Sequence, residues 1–565
     1  MKGGAVTLRI PVGQESFDEI RRDKSYYVDK SELIYDLINS ADNKVTLFTR
    51  PRRFGKTLAM SMMESFFSMQ KGDSHDVFEG LNIMKHRAFC AEWMNQYPVL
   101  LFTFKGIEAL SFHEAYETLK VKLSELCILH HDLLNNQNIA GVDKATFRKL
   151  MDKKAELAEI KDSLKTIMRM MSLAYGKPAV LLIDEYDVPL AMASEQNSQK
   201  NPYYTKMLDV LRGMLDAALK GNQFLKFAVV TGCLRIAKES IFTGTNNLKS
   251  YSVLEEKFSE YFGFTQKEVD RLLEEAGLQD KADEIRTWYD GYLFGNTSIY
   301  CPWDVVNYVA DLLENKNAKP RNYWKNTSHN SVLLTFVKRT EFDVSDKLET
   351  LLNGGSILQT ISNELTYDSL HESEDNLWSV LMMTGYLTKT DPEANGNQVK
   401  LRIPNAEISG IFEETVVRYF NDSLALDRTR QKELMEALWN GDEEKASERM
   451  TDILFDTISY HDYHENYYHA FLTGIISGLG YAVKSNLENG LGRSDIDVRE
   501  KRKKRGMILE TKRSERLQDM EKDALEGKWQ ILKKEYLRGF TGFESVICYG
   551  ISFYQKKALV KKLHF

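Results

Sequence analysis

Four stretches of the chain hold residues that could do phosphate chemistry. The first, FTRPRRFGKTLAMSMM, runs from Phe48 to Met63 and contains Gly55, Lys56 and Thr57 in series. Between a strand and a helix, that tripeptide is the second half of a phosphate-binding loop. Backbone N–H groups at a helix N-terminus face the phosphates, the lysine reaches the β/γ oxygens, and the hydroxyl turns to Mg²⁺. Arg50 stands where the first glycine of such a loop is usual. Arg52 and Arg53 could supply compensating charge, or form a solvated face. The second stretch, KPAVLLIDEYD from Lys177 to Asp187, is an apolar run closing on Asp184 and Glu185. Asp184 could hold the Mg²⁺ shell and Glu185 could orient or deprotonate an attacking water. The alternative is a buried strand whose acids open the next helix; the order and spacing of the two stretches favour the nucleotide site. In the third, VVTGCLRIAKESIFTGTNNL, Thr231 could touch the γ-phosphate or the water. Arg235 reads either as a phosphate sensor or arginine finger, or as a structural ion pair.

The fourth stretch, GRSDIDVREKRKKRGMILETKRS from Gly492 to Ser514, reads as a hairpin of two strands around a basic turn. Side chains alternate faces along a strand, so Asp495 and Asp497 share one face, and Glu510 and Lys512 share one face of the partner. Opposed carboxylates can chelate Mg²⁺, and a lysine beside them can help to deprotonate water for phosphodiester hydrolysis. Asp495 is the preferred ligand and Asp497 the reserve. A charged hairpin is also a common solvent-facing edge with cross-strand ion pairs. The upstream helix carrying Glu465, the downstream helix carrying Gln530 and the local basic charge favour the site. The run Lys501 to Arg505 could grip a phosphate backbone or serve only as a soluble turn. His461, His464, His469 and His564 lack zinc-pair spacing and read as surface or structural histidines.

These residues need elements to position them. Up to about residue 265, apolar runs (KVTLFT, YPVLLFTF, AVLLID, LKFAVVTG) alternate with helical stretches, which predicts a parallel sheet covered on both faces. FTQKEVDRLLEEAGL is an amphipathic helix with Thr265 and Glu268 at capping-box spacing. It opens a helical segment expected to run through WYDGYLFG, and residues 330–455 also read as mostly helical. The last hundred residues return to α/β character. Divided accordingly, 1–265 is the nucleotide domain, 266–330 a helical lid, 331–454 a helical linker and 455–565 a small α/β domain.

YYVDKSELI, TRPRRFGKTL, LLIDEYDVPL and TGCLRIAKESIF, continued by WYDGYLFG, CPWDVVNYV and YWKNTSHN, together resemble the AAA-ATPase-like family of bacterial proteins. In that family the R-P-R-R-F-G-K-[ST] loop is the usual form, so the resemblance makes Arg50 a family feature. It implies ATP binding through Arg53, Gly55, Lys56, Thr57, Asp184 and Thr231, with Glu185 and Arg235 in catalysis. GRSDIDV with LETK is similar to the D…E-x-K core of the PD-(D/E)XK nuclease superfamily, in a helix, strand, strand, strand, helix, strand order. That implies Asp495, Glu510 and Glu465 as metal ligands and Lys512 as the residue assisting water. The expected fold is α/β: a P-loop NTPase parallel sheet with a helical lid and linker, then a restriction-endonuclease-like domain.

With 565 residues the chain is too long for one core. Five scattered cysteines without a C-x-x-C pair argue against a disulfide framework and a zinc site. MKGGAVTLRIPVGQ lacks the apolar core of a signal peptide, and FLTGIISGLGYAV is too short to span a bilayer, so a cytoplasmic protein with no membrane partner is expected. Net charge is −7, yet residues 491–565 carry 19 Lys+Arg against 11 Asp+Glu. A basic module on an acidic body points to a polyanion. Nucleic acid, DNA being the expected one, is therefore the anticipated partner, with ATP and Mg²⁺ as cofactors, and the sequence is compatible with a homo-oligomer. The competing function is an ATP-binding regulator whose C-terminal fold performs no cleavage.

Overall fold

The computed structural model describes residues 8–563 apart from 41–43, 196–201, 236–247, 325–344, 363–364, 366–372, 392–397, 425–427, 458–464 and 490–491. The chain forms two units, Met1–Ser328 with Leu358–Glu407, and His329–Ile357 with Ile408–Phe565.

The first unit is built on five strands: β1 (Val45–Thr49), β2 (Val99–Thr103), β3 (Ala179–Asp184), β4 (Leu225–Gly232) and β5 (Leu248–Tyr251). All pair in parallel, in the order β2-β3-β4-β1-β5. Every residue of β1 and β3 is buried, as continuous apolar runs covered on both faces must be. Parallel neighbours need crossovers, and helices Lys56–Phe67, Phe112–Leu129, Ser163–Tyr175 and Tyr203–Leu219 occupy those connections. β4 lies between β1 and β3, so the carboxyl ends of three neighbouring strands open on one edge, where open α/β sheets bind ligands. The sequence identifies four of these strands; four-residue β5 has too short a run to stand out.

Beyond the sheet, helix Gln266–Ala276 has the anticipated capping box, with Thr265 and Glu268 satisfying each other's backbone N–H, and it closes on Gly277 at φ 66°. The helical expectation through WYDGYLFG is corrected. Helix Ala282–Tyr289 stops, and β6 (Tyr292–Phe294) and β7 (Thr297–Ile299) form an antiparallel hairpin. Gly291 explains the break: its φ is 107°, and a Cβ there would lie 2.0 Å from the Pro404 carbonyl oxygen. Tyr292 and Phe294 then bury while Leu293 between them is only half-buried, the period of a strand. Helix Pro302–Glu314 follows and shares a core with the two preceding helices through Leu272, Ile285, Tyr289, Val305 and Leu312. The described part of 330–455 is mostly helical, as expected, but it also holds strands that the pattern does not announce. β8 (Ile357–Thr360), β9 (Thr388–Lys389) and β10 (Gln398–Arg402) make a sheet of order β8-β10-β9. β10 alternates exposed and buried residues over only five positions, too few for periodicity to stand out.

The second unit holds β11 (Ala482–Asn489), β12 (Gly492–Glu500), β13 (Arg505–Arg513), β14 (Ser545–Tyr554) and β15 (Lys557–Lys562), adjacent in chain order. β11, β12 and β13 run antiparallel, β13 and β14 parallel, and β14 and β15 antiparallel. Helix Met520–Lys533 makes the β13–β14 crossover. It lies so close that a Cβ at Gly550 would come within 2.0 Å of the Ala524 carbonyl oxygen. Helix Glu465–Gly478 precedes β11.

Candidate functional site

The nucleotide site forms at the carboxyl edge of the first sheet. Gly55 takes φ 82° at the helix N-cap, a left-handed conformation that suits glycine, and so turns β1 into helix Lys56–Phe67. Thr57, in the first turn, donates its hydroxyl to Asp184 Oδ2 at 2.8 Å. Thr231, at the end of β4, donates to Asp184 Oδ1 at 2.5 Å. Both oxygens of the buried Asp184 carboxylate are thus held by hydroxyls, one from the helix that follows β1 and one from the end of the neighbouring β4. The intervening β4 is what sets Thr231 beside Asp184. Glu185 comes next, at φ 52°, a strained backbone for a non-glycine residue; its N–H donates to Thr231 Oγ1 at 3.4 Å. Burial pushes the Glu185 carboxyl above its ordinary range, against the opposing pull of the Lys56 charge.

Lys56 is 5% exposed, and its ammonium donates to the Arg50 and Pro51 carbonyls at 3.0 and 2.8 Å. Arg50 does not face that ammonium with its guanidinium. The side chain is fully buried and donates to the carbonyls of Thr49 at 2.9 Å, Tyr251 at 2.8 Å and Phe258 at 3.4 Å. Phe262 and Phe294 rings lie 5.1 and 5.6 Å from it. The residue in the usual glycine position therefore ties β1 to β5 and the β6–β7 hairpin. Arg53, with φ 76°, stacks on the Trp303 ring at 3.9 Å, joining the loop to helix Pro302–Glu314. Gly55, Lys56, Thr57, Glu185, Tyr26 and Trp303 are among the residues lining a cavity of ≈ 360 Å³. Arg235 is partly buried at the end of the described segment that follows β4.

Sequence reasoning missed three supports of this edge. Asp187 Oδ2 accepts from the N–H groups of Cys233 and Leu234, both at 2.9 Å, and fixes the turn after β4; its acid in D-E-Y-D was the available signal. Trp303 is the second. The third is a buried carboxyl pair, Asp304 and Glu407, whose charges bear on each other, while Glu407 Oε1 accepts from the Trp324 N–H at 2.9 Å. Burial pushes both above the carboxylate range, so the pair retains a proton.

In the second unit, strand pairing places Ile496 opposite Leu509, which brings Asp495 beside Glu510. The Asp495 N–H donates to Glu510 Oε2 at 3.4 Å. Asp495 Oδ2 accepts from the Thr511 N–H at 2.8 Å and its hydroxyl at 2.9 Å, a contact that sequence reasoning did not identify. Glu510 is fully buried, and Gln530 of helix Met520–Lys533 donates to its Oε1. Lys512, partly buried, runs past Gly527 of the same helix. Asp497, the reserve ligand, is fully buried and paired with Arg499 at 3.1 Å. His469 Nε2 lies 2.8 Å from the Asp495 carbonyl oxygen, a structural contact. Glu465 begins its helix, but its side chain lies outside the described residues, as do His461, His464 and His564. Among the described residues no three His, Cys, Asp or Glu side chains cluster as a metal cage. Two opposed carboxylates nevertheless suit Mg²⁺, which takes hard oxygen ligands, often one or two carboxylates with water completing its shell.

The fold and these edges define a P-loop α/β unit followed by a nuclease-like module. Residues 11–242 match the family model described as "Predicted AAA-ATPase", and residues 463–563 match that of the PD-(D/E)XK nuclease superfamily. The chain thus carries an AAA-ATPase-like domain and a PD-(D/E)XK nuclease superfamily domain. A curated relative from Azotobacter chroococcum mcd 1, described as an uncharacterized protein in the vnfD 5' region, is 25% identical over 505 residues, 87% of each chain. Among the described residues no helix is long and apolar enough to cross a membrane.

Proposed function

We propose that this protein binds and hydrolyses ATP at the first-unit edge and cleaves nucleic acid, DNA in the first instance, at the Asp495–Glu510 edge. The carrying observation is the Asp184 carboxylate held between the Thr231 hydroxyl and that of Thr57, the residue after Lys56 at the helix N-terminus. In this reading Lys56 leaves the Arg50 and Pro51 carbonyls for the β/γ-phosphates, and the N–H groups after Gly55 cradle them. Thr57 and Asp184 offer the oxygen ligands that suit Mg²⁺, which when bound neutralises phosphate charge. Glu185 removes the proton from the attacking water; its raised proton affinity suits a base, and its N–H bond to Thr231 sets its direction. Thr231 touches the γ-phosphate side, and Arg53 and Arg235 contribute positive charge.

In the second unit, Asp495 and Glu510 would hold Mg²⁺, with Glu465 completing the set; the ion would supply a more acidic bound water and charge stabilisation. Lys512 orients the attacking water by donating to it, and Gln530 fixes the Glu510 carboxylate. The nucleotide state gates cleavage, a proposal motivated by the two sites sharing one chain. The protein works in a bacterial cytoplasm. Plasmid is incubated with the full chain and Mg²⁺, with ATP, ADP or neither, beside Glu510→Ala and Lys512→Ala. Cleavage lost in both variants supports the reading. Cleavage that survives both, or no cleavage of any nucleic acid by the wild type, favours the regulator instead.

A further inference from the structure

Helix Met520–Lys533 has two faces with different chemistry. Its inner face packs on the sheet: Ala524 and Ile531 are fully buried, Gly527 lies against the Glu510 backbone, and Gln530 holds the Glu510 carboxylate. Its outer face carries Trp529, the residue before Gln530. It is 60% exposed, while the other six tryptophans of the chain are buried or partly buried. Among the described residues its indole meets no other ring and no cation. A lone exposed apolar residue is ordinary. Three features set this one apart. It is the largest and most polarisable side chain, where a leucine would satisfy the helix equally. It directly precedes Gln530, the residue that holds the Glu510 carboxylate, on the same helix. And its own face carries more basic than acidic charge, two lysines beside one acid. Lys533 is one turn along the same face and Lys522 two turns back, both exposed. Glu526 is the acid on that face.

We infer that the outer face of helix Met520–Lys533 binds a single-stranded polynucleotide, with Trp529 stacking on an unpaired base and Lys522 and Lys533 contacting the backbone. Every base has a π-face, so an exposed indole in a cationic setting takes single strands without reading sequence. A base inside a duplex offers no free face, so this surface prefers single strands and strand ends. The inference rests on the nuclease reading for its substrate class, and it adds where the strand lies and what form it takes.

The test is binding without cleavage. Anisotropy of fluorescently labelled oligo-dT, oligo-rU and a mixed-sequence duplex is followed with the full chain in EDTA, all species being compared at the same salt concentration and the measurement repeated over a salt series. The expected result is single strands bound more tightly than duplex, about tenfold weaker binding in Trp529→Ala, and most of the affinity kept in Trp529→Phe. Lys522→Ala with Lys533→Ala should flatten the salt dependence, because fewer counterions are released. The DNA and RNA arms show which sugar is preferred. Unchanged affinity in Trp529→Ala overturns the inference, as does duplex bound as tightly as single strands, or no binding of any strand. Plasmid cleavage with Mg²⁺ is scored separately: cleavage retained with Trp529→Ala binding unchanged removes the stacking surface alone, whereas cleavage absent from the wild type removes the nuclease reading.

Discussion

The two candidate sites assemble carboxylates in opposite ways. In the first unit, Asp184 meets hydroxyls 127 residues before it and 47 residues after it. Three parallel strands must find their order before Thr57, Asp184 and Thr231 converge. In the second, Asp495 and Glu510 lie 15 residues apart, on adjacent antiparallel strands. Hairpin register alone brings them together, and one helix then adds Gln530. The first edge is therefore a product of topology and the second a product of local pairing. Both Asp184 oxygens are satisfied by neutral hydroxyls, whereas Glu510 faces Asp495 and depends on Gln530. The first should tolerate loss of one contact; the second is poised against its own like charges.

That contrast can be broken in several places. The largest effect is expected from Glu185→Gln, which should lower ATP turnover by about 10²–10⁴-fold while ATP binding persists, since a base and not a phosphate ligand is removed. Turnover and binding measured side by side decide it; unchanged turnover removes Glu185 from the role. Because burial raises the Glu185 proton affinity, its base form grows as pH rises through its titration. Wild-type turnover should therefore fall on the acid side, beginning at higher pH than for an ordinary carboxylate.

Next in size is Gln530→Ala, which should weaken Mg²⁺ dependence of cleavage by about 10–100-fold, the usual consequence of removing a partner of a metal-holding carboxylate. A Mg²⁺ titration of cleavage reads it. By contrast Thr231→Val should leave Asp184 one hydroxyl bond from Thr57, and its ATP affinity should shift by less than the Gln530 change shifts Mg²⁺ affinity. Equal shifts would erase the distinction between the two edges.

The residues that carry these roles were unequally legible. Gly55, Lys56 and Thr57 stand out because a turn into a helix demands them in that order, and AVLLID stands out because a doubly covered strand must be continuously apolar. The hairpin was legible because alternation fixes faces, so Asp495, Glu510 and Lys512 follow from spacing. Arg50 was not: its carbonyl and ring partners lie at Tyr251, Phe258, Phe262 and Phe294, about two hundred residues downstream, and nothing local says that the guanidinium turns inward. Thr511 was hidden for a different reason. Strict alternation assigns it to the face opposite Glu510, yet its hydroxyl and N–H both reach Asp495. The β6–β7 hairpin was masked by aromatic residues that also fit a helix, with Gly291 as the single cue.

A smaller effect concerns the carboxyl pair of Asp304, in helix Pro302–Glu314, and Glu407. Burial raises both Asp304 and Glu407, so between the unfolded carboxylate pKa and the raised folded values the folded state holds more protons than the unfolded chain. Stability from this pair is then present at low pH and is lost as pH rises. Glu407→Gln keeps an oxygen for the Trp324 N–H and offers N–H to Asp304 without an ionisable proton. It should melt like wild type near pH 5 and more stably near pH 8, by on the order of 1–2 kcal/mol. Parallel melting curves at both pH values would show that the pair does not titrate with folding. The smallest effect is Thr265→Ala, which removes a capping box from helix Gln266–Ala276 and should lower stability by about 1 kcal/mol in a denaturant melt.

The most direct measurement is calorimetric titration of ATP into the full chain with and without Mg²⁺, for the wild type, Lys56→Ala and Asp184→Ala. Convergence of Lys56, Thr57 and Asp184 on one triphosphate predicts tight, Mg²⁺-dependent binding in the wild type and little binding in Lys56→Ala. Asp184→Ala should bind weakly and equally with or without the ion. Mg²⁺ dependence preserved in Asp184→Ala, or full affinity in Lys56→Ala, would contradict it.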